Sequence, residues 1–265
     1  MVDNKKYSEI MHLVFDIGNS NVVCGLFDGP KCQRIWRWET INNEERRMYY
    51  QKRILNVLLE EKVELLTVRA VSMSSVVPNM DEAFIDMLTA LFKAKINKIQ
   101  FDSFSRLTIH TDHPDEMGTD LIANAVAALH EKNEDTIIVD FGTALTFTVV
   151  QKDYHIQGVA IAPGIFTALS TLHGSTAQLP EVQPYLPSST IGKNTVKAIQ
   201  AGVFRGYIGL VKEILQSIEE EKGKRFKRIA TGGLSGVLTP LEKEFDLVKK
   251  DLTLNGIRLI GESMT

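Results

Sequence analysis

Two spacings of apolar residues alternate along the chain, one of period two and one near 3.6, and they divide it into strands and amphipathic helices. "LVFDIG" and "NVVCGLFDG" read as two strands joined by a small polar turn, Gly18-Asn19-Ser20-Asn21, and Asp28-Gly29-Pro30 ends the second. "CQRIWRWET" alternates well enough for a third strand, with Trp36 and Trp38 packing on the sheet. "EERRMYYQKRILNVLLEEK" puts Met48, Ile54, Leu55, Leu58 and Leu59 at helical spacing among charges. "LLTVRAVSMSSVVP" predicts a strand that stops at Pro78, and "MDEAFIDMLTALFKAK" a second amphipathic helix. "KIQFD" and "RLTIHTD" predict short strands before a loop around Pro114.

A second half begins there, and a boundary between 115 and 116 divides the chain into domains 1–115 and 116–265. "DLIANAVAALHEK" is helical, with Ile122, Ala125, Val126 and Leu129 on one face. "TIIVDFGTALTFTVV" predicts strand, turn and strand, and "YHIQGVAIAPG" continues the sheet to Pro163. "IFTALSTLHGSTAQLP" is a helix followed by a loop. A long helix then carries Gly202, Gly206 and Gly209, each lowering helix propensity by up to about 1 kcal/mol. Such glycines let another helix approach closely, as across a dimer. "RIATGGLSG" is a strand entering a double glycine, and "LEKEFDLVKKDLTLNGIRLIGESM" finishes the chain with short helices.

The two halves open alike. In "LVFDIGNSN" and "IIVDFGTAL", Asp16 matches Asp140, Gly18 matches Gly142 and Asn19 matches Thr143, an offset of 140 − 16 = 124 residues. Each copy is a buried strand that ends on an acid and turns through glycine. Glycine lets backbone N–H groups approach phosphate oxygens. Asn19, Ser20, Asn21, Thr143 and Thr146 add side-chain donors, and the acids can hold cations that offset phosphate charge. A single Asp-x-Gly is as readily a plain turn. Two copies and a third glycine-rich strand end in "IATGGL" favour a phosphate-binding pair.

Composition narrows the partners. The 265 residues are 44% hydrophobic and 24% charged with net charge −3, ordinary for a soluble globular protein. That balance disfavours nucleic acid or an anionic membrane as the main partner. No apolar run approaches the roughly 20 residues of a bilayer span, and "MVDNKKYSEIMH" has no signal-peptide core, so a cytoplasmic protein is expected. Cys24 and Cys32 are too few for a disulfide framework or a Cys-rich zinc site. His110 and His113 flank Asp112, but no further His or Cys stands nearby at a usual ligand spacing, so no metal centre is assigned there. "TIGKNT" fails as a P-loop, because Pro187 stands where the first glycine belongs and Asn194 replaces the Ser/Thr. "DFG" lacks a kinase H-R-D loop, and no G-x-G-x-x-G occurs.

"DIGNSN", "SSVVP", "HPDEMGTD", "DFGTALTF", "AIAPG", "AQLPEV", "IGKNT", "ATGGL" and "LTLNGI" together resemble the type III pantothenate kinases, a branch of the acetate and sugar kinase and actin superfamily. The resemblance covers nearly the full length. It implies an α/β fold of two ribonuclease-H-like (actin-like ATPase) domains with an active-site cleft between them. It also implies ATP-dependent phosphorylation of pantothenate, with Mg²⁺ and a monovalent cation (K⁺ or NH₄⁺), by a homodimer.

Carried over residue by residue, the resemblance makes Asp120 the catalytic acid that takes or orients the proton of pantothenate's primary hydroxyl, with Gly118 and Thr119 beside the substrate. Asp16 would hold magnesium through water. Gly18, Asn19, Ser20, Asn21, Gly142 and Thr143 would bind phosphate, and Gly232 and Gly233 would form the adenosine-side turn. Asp140 would hold the monovalent cation, and Thr195 would reach pantothenate from the neighbouring subunit. Read from residues alone, Asp120 is a helix-start residue and Thr195 a helix N-cap. Three positions depart from the family pattern: Leu121 replaces an arginine, Thr111 a tyrosine and Thr148 an acid. The first two touch the substrate side. They leave open a divergent paralogue that binds nucleotide as a regulatory or interaction protein.

Overall fold

The structure is a computed structural model and describes residues 10–233 and 239–264. Most of the N-terminal stretch read for a signal peptide, and Leu234 of "ATGGL", lie outside the described residues. The chain folds into two compact units. One holds the chain through Leu107, Asp112–Ala127 and the stretch from Asp251 on; the other holds Thr108–Thr111 and Ala128–Lys250. The 115/116 boundary read from sequence thus falls inside a segment packed with the first unit.

In the first unit β1 (Met11–Ile17), β2 (Asn21–Asp28) and β3 (Lys31–Glu39) form an antiparallel meander. Helix α1 (Arg46–Glu61) leads to β4 (Val68–Ser75), parallel to β1, and α2 (Pro78–Phe92) leads to β5 (Ile96–Lys98). The order is β3-β2-β1-β4-β5. Alternation on β1 sends Leu13, Phe15 and Ile17 into a core with Tyr50 and Ile54 of α1 and Phe84 of α2. Lys62 and Lys93, both left-handed, end the two helices.

The second unit repeats that path. Strand β6 (Thr108–Ile109) comes first, helix α3 (Thr119–Glu131) then packs with the first unit through Ala127, and strands β7 (Thr136–Phe141), β8 (Ala144–Gln151) and β9 (His155–Pro163) form the second meander. Helices α4 (Ile165–Gly174) and α5 (Thr195–Lys222) precede β10 (Lys227–Thr231), parallel to β7, and β11 (Leu247–Val248) follows. Its order, β11-β10-β7-β8-β9-β6, matches the first sheet strand for strand, with β6 added at the edge. Ile137, Val139 and Phe141 face Phe204, Val211 and Leu215 of α5. The Tyr207 hydroxyl donates to the Pro163 carbonyl.

Two details differ from the sequence reading. The strand expected at "KIQFD" lies earlier, at Ile96–Lys98, because Gln100 and Ser103 bond each other and turn the chain. The end of the chain is a 3-10 turn (Thr239–Glu244), strand β11 and one full helix, α6 (Leu252–Ser263), rather than short helices alone. Helix α6 returns to the first unit and covers the β1 face opposite its core. There the buried His12 Nε2 meets Ser72 Oγ at 2.9 Å, and Asn97 donates to the Gly261 carbonyl at 3.1 Å. Among the described residues, no helix is long and apolar enough to cross a membrane.

Gly256 lets α6 lie against α3, since a Cβ there would stand 1.9 Å from the Ala123 carbonyl oxygen. Alanine is the better helix former by about 1 kcal/mol, but overpacking typically costs about 1–3 kcal/mol. Gly256→Ala should therefore lower the denaturation midpoint of the first unit. A raised midpoint would show that α6 does not pack this closely.

Candidate active site

The 18–21 turn closes where β1 meets β2. Gly18 N–H donates to the Asn21 carbonyl at 2.9 Å, leaving Asn19 and Ser20 exposed. Asp16 is the last half-buried side chain before it and stands in register with Ser74 of β4. Ser74 is fully buried, and its hydroxyl lies 2.7 Å from Thr119 Oγ1 at the start of α3. The strand end bearing Asp16 and the helix start bearing Asp120 are thereby joined within one unit. Sequence reasoning named the "SSVVP" segment but not Ser74, whose part depends on strand register.

Asp120 is the second residue of α3, inside its first turn. Gly118 makes room for it, since a Cβ there would stand 2.4 Å from Asp120 Oδ1. Packing around the carboxyl removes water and holds its pKa above the ordinary 3.8, with the Leu121 N–H, 2.9 Å from Oδ1, pulling the other way. The helix N-terminus also favours charge there, but desolvation wins. A half-buried carboxylate with a raised pKa is a better proton acceptor than a fully solvated one.

In the second unit the same construction recurs. Gly142 N–H donates to the Ala144 carbonyl at 3.0 Å, with Thr143 and Ala144 exposed. Asp140 is the next-to-last residue of β7, flanked in register by Thr146 on β8 and Thr231 on β10. Both threonine hydroxyls are buried with no hydrogen-bond partner. A carboxylate between two orphaned hydroxyls is an all-oxygen donor set, which suits a hard cation. Thr231 was invisible in the sequence, since only the β7–β10 pairing brings it beside Asp140. Gly232 adopts φ +89°, and a Cβ there would stand 2.4 Å from Asp140 Oδ1, so this turn must be glycine. Gly233 is exposed beside it.

A family model described as type III pantothenate kinase matches residues 12–217. The type III pantothenate kinase of Brevibacillus brevis is 38% identical over 252 residues, covering 95% of this chain and 98% of that protein. The chain belongs to the type III pantothenate kinase family. Solved structures share the fold at low identity. Component A of Acidaminococcus fermentans (R)-2-hydroxyglutaryl-CoA dehydratase has a TM-score of 0.54 at 13% identity, covering 96% of each chain. The ethanolamine utilization protein EutJ of Carboxydothermus hydrogenoformans has a TM-score of 0.54 at 14% identity, covering 96% of this chain and 89% of its own. The two repeated units are those of an actin-like ATPase fold.

Other expected positions fall as follows in this family member. Thr195 is the first residue of α5 and is exposed; the N-cap is Asn194, whose side chain accepts from Lys197 N–H at 2.9 Å. Leu121 is buried, and the Thr111 hydroxyl is buried without a partner. Thr148 is buried opposite Ile138. His110 bonds His155 at 2.9 Å across β6 and β9. Among the described residues no group of three or more His, Cys, Asp or Glu side chains could hold a metal. Cys24 is buried, and burial pushes the Cys32 thiol up to about 11, so neither is poised as a thiolate.

Asp120→Asn separates catalysis from folding. With a raised carboxyl pKa the native state holds its proton more tightly than the unfolded chain. Stability from this group is greatest at low pH and declines as pH rises through 3.8 to the folded value. Removing the charge should leave the melting temperature at neutral pH equal or higher. Turnover should fall by about 10²–10⁴-fold, and the wild-type acid limb should lie above 3.8. Activity within a few-fold of wild type would remove Asp120 from the mechanism.

Proposed function

We propose that this chain transfers the γ-phosphoryl group of ATP to the primary hydroxyl of pantothenate, giving 4'-phosphopantothenate in the first step of coenzyme A biosynthesis. The carrying observation is Asp120, a desolvated carboxylate tied through Thr119 and Ser74 to the end of the strand that carries Asp16. Phosphoryl transfer asks mainly for positioning and charge neutralisation. In the first unit the 18–21 turn holds phosphate, and Asp16 holds magnesium through water. In the second the 142–144 turn holds phosphate, and Gly232 and Gly233 pass beside the adenosine. Asp140 with Thr146 and Thr231 holds a potassium or ammonium ion; the buried orphan hydroxyls support this. Bound cations supply positive charge against the triphosphate. Asp120 orients the acceptor hydroxyl and takes its proton as the new P–O bond forms.

A homodimer is part of this reading. Nothing stands within 4 Å of a Cβ built at Gly202, Gly206 or Gly209, so α5 offers an open small-residue face. Ile161, Phe166, Ile191 and Val196 are exposed apolar residues in the same unit. In this reading Thr195, at the exposed start of α5, serves a partner's pantothenate. We place the protein in the cytoplasm, where ATP is available. The second reading, nucleotide binding without turnover, is favoured by Leu121, which buries an apolar side chain beside the catalytic acid.

Coupled ADP release decides between them. The enzyme should release ADP only with pantothenate, magnesium and potassium or ammonium present, and light scattering should give twice the 29.7 kDa chain mass. ATP binding with no pantothenate-dependent ADP would establish the second reading instead. A monomer that turns over would remove the partner role of Thr195.

A further inference from the structure

Beyond the turns themselves, each unit carries a threonine that grips its turn from behind. In the first unit Thr40, just past β3, donates its hydroxyl to the Gly18 carbonyl at 2.6 Å and its N–H to the Ser20 carbonyl at 3.0 Å. Thr40 is itself held. The buried Tyr50 hydroxyl accepts from Ile41 N–H at 2.8 Å and donates to the Glu39 carbonyl at 3.1 Å, fixing the residues on either side. In the second unit the Thr143 carbonyl takes Gly164 N–H at 2.9 Å and the Thr167 hydroxyl at 2.7 Å.

The backbone bonds of the two grips are equivalent by strand register, while the hydroxyls take different carbonyls, Gly18 in the first turn and Thr143 in the second. Asn21 pairs with Glu39 and Ala144 pairs with Pro163, so Thr40 and Gly164 are the next residues on matching strands. Position 164 has no room for a side chain: a Cβ there would stand 2.3 Å from the Gly142 carbonyl oxygen. Threonine is therefore excluded at 164, and the hydroxyl comes from Thr167, within the first turn of α4.

We propose that Thr40 and Thr167 are positioning residues for phosphoryl transfer, each aiming the amides of its turn at the nucleotide's phosphates. This rests on the reading of both turns as phosphate sites. In a trans peptide the C=O of one residue and the N–H of the next point in opposite directions. Holding the Gly18 and Ser20 carbonyls toward Thr40 turns the Asn19 and Asn21 N–H groups the other way. Holding the Thr143 carbonyl toward Thr167 does the same for Ala144 N–H. The grip also draws the carbonyl oxygens, which would repel phosphate, behind the turn. Donors fixed before the anion arrives need no reorganisation when it binds.

The test compares Thr40→Val and Thr167→Val with Thr40→Ser and Thr167→Ser. Calorimetric titration with Mg-ATP and with adenosine is the readout, with kcat and both KM values alongside. Valine keeps the shape and removes the hydroxyl. Each valine variant should lose roughly three- to tenfold in ATP affinity, the scale of one hydrogen bond. Adenosine affinity and the KM for pantothenate should stay within about twofold, and serine should restore ATP binding. A merely structural role would lower adenosine and ATP affinity together and would overturn the proposal. So would valine variants that bind ATP like wild type. Asn19→Pro and Ala144→Pro, each removing one turn N–H, locate the failure in that case: if they weaken ATP but not adenosine binding, only the grip is wrong; if they do not, the phosphate reading of the turns is wrong as well.

Discussion

Each candidate phosphate site depends on one short hydrogen bond closing a turn between two buried strands: Gly18 to Asn21 at 2.9 Å and Gly142 to Ala144 at 3.0 Å. The closure ends the strand ladder one pair after an acid, at Ile17–Val22 and at Phe141–Leu145. It leaves polar residues exposed at the tip while the strands on both sides stay in the core. A longer loop would tilt the acid and the amides independently. A two-strand hairpin pinned at its last pair fixes them as a unit. Because the same hairpin opens both units, the chain obtains two such sites from one structural solution.

Much of the surrounding architecture keeps that end of each sheet in place. Strand β4 gives Ser74 to α3, which fixes the start of the helix carrying Asp120. Helix α6 covers the β1 face opposite the core through His12, Ser72 and Asn97. In the second unit α5 is anchored at the end of β9 by Tyr207, next to Gly164 and the 142–144 turn. Function works against stability at two places. Burial raises the Asp120 carboxyl pKa, so ionising it works against the fold, and Thr146 and Thr231 bury hydroxyls that find no protein partner. An unsatisfied buried polar group costs about 1–3 kcal/mol, and a bound cation would relieve that cost.

The meanders, the acids and their glycine turns were legible because their signals are local: period-two apolar runs, then Asp-x-Gly. The repeat was visible for the same reason, and strand order bears it out, β3-β2-β1-β4-β5 against β9-β8-β7-β10-β11. Non-local features were not legible. Ser74 and Thr231 acquire meaning only through the register of parallel strands far apart in sequence. The return of α6 to the first unit depends on Gly256 and Gly261 fitting Ala123 and Ser72, which no periodicity encodes. Short elements were misjudged because three residues carry no period, as at β5. Arg228, just past α5, is gripped by Glu219 of that helix at 2.8 Å, a pairing that no local period encodes.

The central proposal is that the turn amides of each unit, taken by itself, meet nucleotide phosphate. Amide-resolved NMR on protein labelled at Asn and Ala tests it most directly, with a non-hydrolysable ATP analogue and magnesium compared against adenosine. The account expects the Asn19, Asn21 and Ala144 amide signals to move with the analogue and to remain in place with adenosine. Signals at all three that ignore the triphosphate, while the analogue demonstrably binds, would contradict it.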